Sequence, residues 1–452
     1  MGVSLGAYAS SSASHFINRI SNGLDSPSIK RNVRLQSPQA NHTVIYRAVN
    51  GTPDQNLRKI IELMGGIERI IGRDDVVLIK PNVQWWNQGA PNLSSLKTFV
   101  DLTMDRPGGF KGEVVLAENC HRGVSPWTSA SSGWAHDFER NSGITNISNY
   151  NELSRILKNK YKERFSTCHM IDVGAGSKRV YGAADGTGYV YCDGSHGVPL
   201  MICENGGIGP NHRATIMTYP ILLTDKGTRI DFKNGIWENG SYTGPPLCFI
   251  NFSALNHHSV YCGVTSAVKN YMGITDLSGG PDPNDGGRLT EKYYNFHSFP
   301  FNKWSPGPSP GMLGKEIGMF MKTMRKADLN ITTADWVGLS SRTDPPIVHT
   351  RAVLASTDPV ALDYHAAKNI LFPNSNLTIH NPDNPKGPLY PILKKCAESG
   401  GGTLDENRIE VKSYDFKKKT LQKNEELPIV APIYWGSNAK AILKYLVLRY
   451  WK

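Results

Sequence analysis

The run His257-His258-Ser-Val-Tyr-Cys262-Gly263-Val-Thr265-Ser-Ala267-Val-Lys269-Asn270-Tyr-Met-Gly273 gathers more reactive chemistry than any other stretch of the chain. Histidine exchanges protons near neutral pH. The Lys269 ammonium can hold an anion, and Thr265 offers a hydroxyl. The segment follows an apolar run, Pro246 to Phe252, that has the character of a buried strand. Glycine and hydroxyl residues then open a predicted helix with Lys269 one to two turns into it. A strand that ends in histidines and enters a helix places titratable groups where open α/β sheets bind ligands. The exposed amides of such a helix start also favour an anion.

Two further strand ends carry polar sets. Lys80-Pro81-Asn82 is followed by Gln84-Trp-Trp-Asn87. A lysine at that place either faces an anionic ligand or a carboxylate, or reaches solvent at the sheet edge. Glu118-Asn119-Cys120-His121-Arg122 pairs an acid/base with a fixed cation able to clamp a carboxylate or phosphate. Later, Ser356-Thr-Asp358-Pro-Val-Ala-Leu-Asp363 opens a helix. Asp358 is its cap, and Asp363, one turn in, faces solvent or the cleft.

The elements that must position these groups alternate apolar runs with helical periodicity. Strands are predicted at 43–49, 75–80, 112–118 and 246–252, with helices beginning at Thr52-Pro53 and spanning about 93–104. That rhythm argues for an α/β protein: a mainly parallel sheet flanked by helices, two lobes around a cleft, and a loop-rich insertion. The expected divisions are a flexible lead-in over 1–42, a first α/β part over 43–122, the insertion over 123–245, a second α/β part over 246–372 and a C-terminal extension over 373–452.

The chain has 452 residues, 20% of them charged, and a formal charge of +11 spread along its length rather than gathered on one element. No nucleic-acid partner is expected from that distribution. The seven cysteines form no Cys-x-x-Cys pair, so no iron–sulfur cluster is expected on this chain. No apolar stretch has the length of a membrane span. The small-residue-rich start lacks a basic n-region and continuous apolar core, leaving cytoplasmic and exported locations both open.

Four motifs occur in order: Val77-Leu-Ile-Lys80-Pro-Asn82, Gly263-Val-Thr265-x-Ala267-x-Lys269-Asn270-x-x-Gly273, Ala334-Asp335, and Ala355-Ser-Thr-Asp358-Pro-Val-Ala-Leu-Asp363. The set resembles the domain of unknown function 362 family over roughly 43–370, which implies a fold and almost no activity. More distantly, His121-Arg122 and the Gly263-to-Lys269 interval are similar to lactate racemase and its relatives. That resemblance implies two histidines alternating as acid and base on a 2-hydroxy acid, and a nickel-pincer nucleotide on the lysine. The chain departs from the pattern. His258 lies one residue too far from Gly263, Val268 replaces an arginine, and Asp285 stands at the nickel ligand's spacing, with His297 the nearest later histidine.

The expected site is therefore His121 and His258 as proton-exchanging groups, with Lys80, Asn82, Arg122 and Thr265 binding a small anionic substrate. Lys269 and Asn270 bind a cofactor, and His257 and His297 are the candidate metal ligands. The expected function is a cofactor- or metal-assisted enzyme, isomerase-like or redox-like, on a small hydroxylated or carboxylated anion. The alternative is a non-catalytic ligand-binding or electron-transfer accessory protein with a redox partner protein.

Overall fold

The structure is a computed structural model that describes residues 42–119, 133–204, 214–277, 293–294, 296, 310–423 and 428–450. Its centre is a ten-stranded mixed sheet. In chain order the strands are β1 (Thr43–Val49), β2 (Val76–Pro81), β3 (Glu113–Asn119), β4 (Phe165–Met170), β5 (Leu247–Ala254), β6 (Leu329–Gly338), β7 (Ile347–Ser356), β8 (Ile409–Asp415), β9 (Thr420–Lys423) and β10 (Ile433–Tyr434). Across the sheet the order is β9-β8-β1-β7-β6-β5-β2-β3-β4, with β10 pairing β7 off this path. The block β6-β5-β2-β3-β4 is parallel throughout. Its carboxyl ends therefore share one edge, where open α/β sheets place their ligands. Beyond it β7 runs antiparallel to both β6 and β1, and β8 is parallel to β1.

The strands of the parallel block are continuous apolar runs because both faces are covered. Val76, Leu78, Val115 and Phe249 pack into one core; Val77, Ile79, Leu116 and Ile250 pack into another on the opposite face. The second core is closed by α1 (Pro53–Leu63), α2 (Leu93–Met104) and α3 (Tyr150–Tyr161), through Leu57, Leu96 and Leu153 among others. The first is closed by α4 (Ala267–Asn270), α5 (Pro310–Thr323), α6 (Pro359–Ala366) and α7 (Leu389–Glu398). A last helix, α8 (Ala439–Tyr450), contributes Tyr445 to that core.

The helix starts follow local chemistry. Gln55 Oε1 accepts from the Thr52 amide at 3.0 Å ahead of Pro53, and Asn92 Oδ1 accepts from the Ser95 amide at 3.1 Å. The loop-rich middle supplies β4 to the main sheet and builds a separate five-stranded sheet in the order 235–237, 229–231, 218–223, 188–191, 179–180. That small sheet adds Tyr219, Ile221 and Ile230 to the first core.

Candidate active site

Lys80 and Glu118 are the penultimate residues of the neighbouring strands β2 and β3. Lys80 Nζ lies 2.9 Å from Glu118 Oε2, and both side chains are buried. Of the two positions open to Lys80, it takes the one facing a carboxylate, in the middle of the sheet rather than at a solvent edge. The same ammonium donates to Asn270 Oδ1. Asn270 Nδ2 donates to Asn251 Oδ1 at 2.7 Å, Asn251 Nδ2 to Asn330 Oδ1 at 2.8 Å, and Asn330 Nδ2 to the Ser356 carbonyl at 3.1 Å. The sheet register explains this row, since Lys80 pairs with Asn251, Asn251 with Asn330, and Asn330 with Ser356. Burial pushes Glu118 up and Lys80 down, each opposed by its partner's charge.

Two motif glycines are explained by close approach. A Cβ at Gly273 would sit 2.5 Å from Lys80 Nζ and 2.7 Å from Glu118 Oε1, so a side chain there would displace the ion pair. Gly263 has φ +72°, and a Cβ there would meet the Ile379 carbonyl oxygen at 2.2 Å.

Above this floor lies a small pocket with a cavity volume of about 40 Å³. It brings together Lys80, Asn82, His258, Thr265, Lys269 and Asn270 from the expected site, and adds Trp85, Glu118 and Arg342. Lys269 is half-buried and lines the pocket. Enclosure, reinforced by the positive charges of Arg342 and Lys80, pulls its ammonium down to about 8, with the Cys262 thiol acting in the opposite sense. Burial pushes Cys262 itself up to about 11. The Arg342 guanidinium stacks 4.4 Å from the centre of the Trp85 ring, and its Nη1 lies 3.4 Å from His258 Nε2. Burial lowers Arg342, but a guanidinium stays charged at neutral pH. Because it can only donate, His258 Nε2 is the acceptor, and Nδ1–H points to Ser259 Oγ at 3.0 Å. Thr265 Oγ1 is buried without a hydrogen-bond partner among the described residues.

Three expectations change. The helix carrying Lys269 is one turn, Ala267–Asn270, tightening into the 3-10 turn Tyr271–Ile274. Its first amides are not free for an anion: Asp363 Oδ1 accepts from Ala267 N and Oδ2 from Val268 N, both at 2.8 Å. Asp363 thus faces neither solvent nor cleft, and burial pushes it up to about 7 against the pull of those amides. Asp358 caps α6 as expected, accepting from the Ala361 amide at 2.9 Å.

His257, a candidate metal ligand, turns away from the pocket: its Nδ1 lies 3.0 Å from His380 Nε2, and His380 Nδ1 lies 2.7 Å from Ser375 Oγ. Burial lowers both histidines, so the pair is held neutral. Asn270 reaches the pocket with both ends of its amide engaged in the floor. His121, Arg122 and His297 lie outside the described residues. Among the described residues no three His, Cys, Asp or Glu side chains gather to hold a metal ion.

Residues 247–368 match the family described as Domain of unknown function (DUF362). Over those residues the chain is similar to that family. The match covers β5, the His257–Gly273 run, β6, β7, Arg342 and the Asp358–Asp363 cap, a narrower span than the motifs suggest, since Lys80 and Glu118 fall outside it. No curated protein and no solved structure shows significant similarity to the chain.

Arg342 was missed because it follows a strand in Ser340-Ser341-Arg342-Thr343-Asp344-Pro345-Pro346, a turn-like stretch. The available signal was topological. A cation directly after β6 lands at the pocket edge once β6 is recognised as parallel to β5 and β2.

Proposed function

We propose that this pocket binds a small carboxylated or phosphorylated molecule and that the protein is an enzyme acting on it by proton transfer. One observation carries the reading. The single carboxylate among the pocket-lining residues, Glu118, is taken by Lys80, while Lys269 and Arg342 have no carboxylate partner among the described residues. Two neighbouring cations in an enclosed site repel one another, and an anion between them relieves that repulsion.

Arg342 is the anion clamp, its planar fork matched to a carboxylate or phosphate. Lys269 is the second contact, and Thr265 and Asn82 offer further polar groups. When a bound anion draws the guanidinium towards itself, His258 Nε2 gives up that contact and is the ring nitrogen placed to take a proton from the substrate. Lys269, titrating near 8, is the group able to return one. Two-histidine exchange with His121, and a nickel-pincer nucleotide on Lys269, are what the racemase resemblance adds. The described donors do not make a metal site, so no step here passes through one.

The test is calorimetric titration with lactate, malate and inorganic phosphate, together with proton NMR of each acid incubated with the protein in D2O. The expected outcome is binding of at least one anion, weakened about tenfold or more in Arg342→Ala, and exchange of the α-proton of a bound hydroxy acid. Binding without exchange would favour the ligand-binding or electron-transfer alternative. Affinities unchanged in both Arg342→Ala and Lys269→Ala would remove the pocket from function.

A further inference from the structure

We infer that α8 is a docking surface for an anionic lipid bilayer, lying flat on it rather than crossing it. Half of the large apolar side chains exposed among the described residues fall between 430 and 450. Four of them, Leu443, Leu446, Val447 and Tyr450, follow the i, i+3, i+4, i+7 spacing of one helical face, with Leu443 62% and Tyr450 71% exposed. At about 100° per residue this stripe lies opposite Ala441 and Tyr445, the side chains that α8 buries in the protein. Tyr445 fixes that orientation, its hydroxyl donating to the Ser375 carbonyl at 3.0 Å and its ring packing against Trp435. The helix therefore has two apolar faces, one used by the fold and one presented outward.

Charge selects the occupant. Residues 428–452 contain Lys440, Lys444, Arg449 and Lys452 and no Asp or Glu. Lys440 is exposed beside the stripe and forms no salt bridge among the described residues, while Lys444, farther round the helix, has its ammonium partly withdrawn from water near Arg342 and Asp344. An apolar stripe flanked by cations, with aromatic residues near it, is the pattern of helices that lie in the headgroup region of an anionic bilayer. A second copy of the chain seated on this face would bring like charges together, with no acid in residues 428–452 and only Asp344 acting on Lys444 to answer them. No described helix is long and apolar enough to span the hydrocarbon.

The experiment is co-sedimentation of the full chain with extruded phosphatidylcholine vesicles, with and without about 30% phosphatidylglycerol. Binding is expected to the anionic vesicles only, and to fall several-fold between about 0.1 and 0.5 M NaCl. Leu443→Glu/Val447→Glu should abolish it, and Lys440→Glu should weaken it about fivefold or more. Circular dichroism melts of the variants, whose changed side chains are all exposed, confirm that the fold is kept. Equal sedimentation with and without phosphatidylglycerol, or no loss in the double variant, would overturn the inference. So would a dimer by light scattering that the double variant converts to monomer, since a second copy would then cover the stripe.

Discussion

The floor and the wall of the pocket draw on the same residue types, yet their polar groups meet opposite conditions. On the floor, Lys80 answers Glu118, and Asn270, Asn251 and Asn330 hand hydrogen bonds from strand to strand. On the wall, Lys269 and Arg342 face each other's charge, and the Thr265 hydroxyl has no partner among the described residues. Burying a charge costs several kcal/mol unless a partner answers it. The floor answers part of that cost internally, ion against ion, although burial still outweighs the pairing and holds Glu118 up at about 8. The wall leaves it partly unmet, which is what a site does when a ligand is to supply the missing charge. The adjacent histidines divide in the same way. His257 is closed into a pair with His380, while His258 turns to Arg342 in the pocket.

The contrast is most severely tested on the floor. Lys80→Met leaves Glu118 buried without its cation and should cost about 3–5 kcal/mol in urea unfolding. Lys80→Met/Glu118→Leu should recover much of that loss, because two apolar side chains need no pairing. A single variant within about 1 kcal/mol of the parent would show that the ion pair is not framework.

The wall should show itself in pH rather than stability. Lys269 titrates near 8, so it is cationic below that value and neutral above it. An anion stabilises the charged form, and binding must therefore take up a proton above about pH 8. Affinity should fall as pH rises through that range, by up to about tenfold per pH unit. Lys269→Arg, charged throughout, should flatten the profile. A profile already flat between pH 7 and 10 in the parent would mean that the bound anion does not sense this ammonium.

Much of the fold was legible because it rests on local patterns. The strand at 43–49 and the helix at 93–104 stand where apolar periodicity and turn residues put them. The site was legible only as residue types at strand ends. Which histidine faces the pocket depended on His380, more than a hundred residues away. The fate of the helix amides depended on Asp363, whose role as their acceptor comes from tertiary packing alone. Arg342 needed the strand order, which no periodicity reveals.

The smallest effect expected is the one that separates ligand from framework most cleanly. Thr265 Oγ1 is buried and unpartnered among the described residues, so it pays its desolvation without return. Valine keeps the branched shape and removes the hydroxyl. Thr265→Val should therefore leave stability unchanged or raise it by up to about 1 kcal/mol. A framework hydroxyl would give the reverse, because its removal would strand a partner. If the hydroxyl instead waits for a polar atom of the ligand, the same substitution should weaken anion binding about fivefold while the protein melts no earlier. Loss of stability together with unchanged affinity would move Thr265 from the wall to the floor and leave the cations Lys269 and Arg342 to define the site.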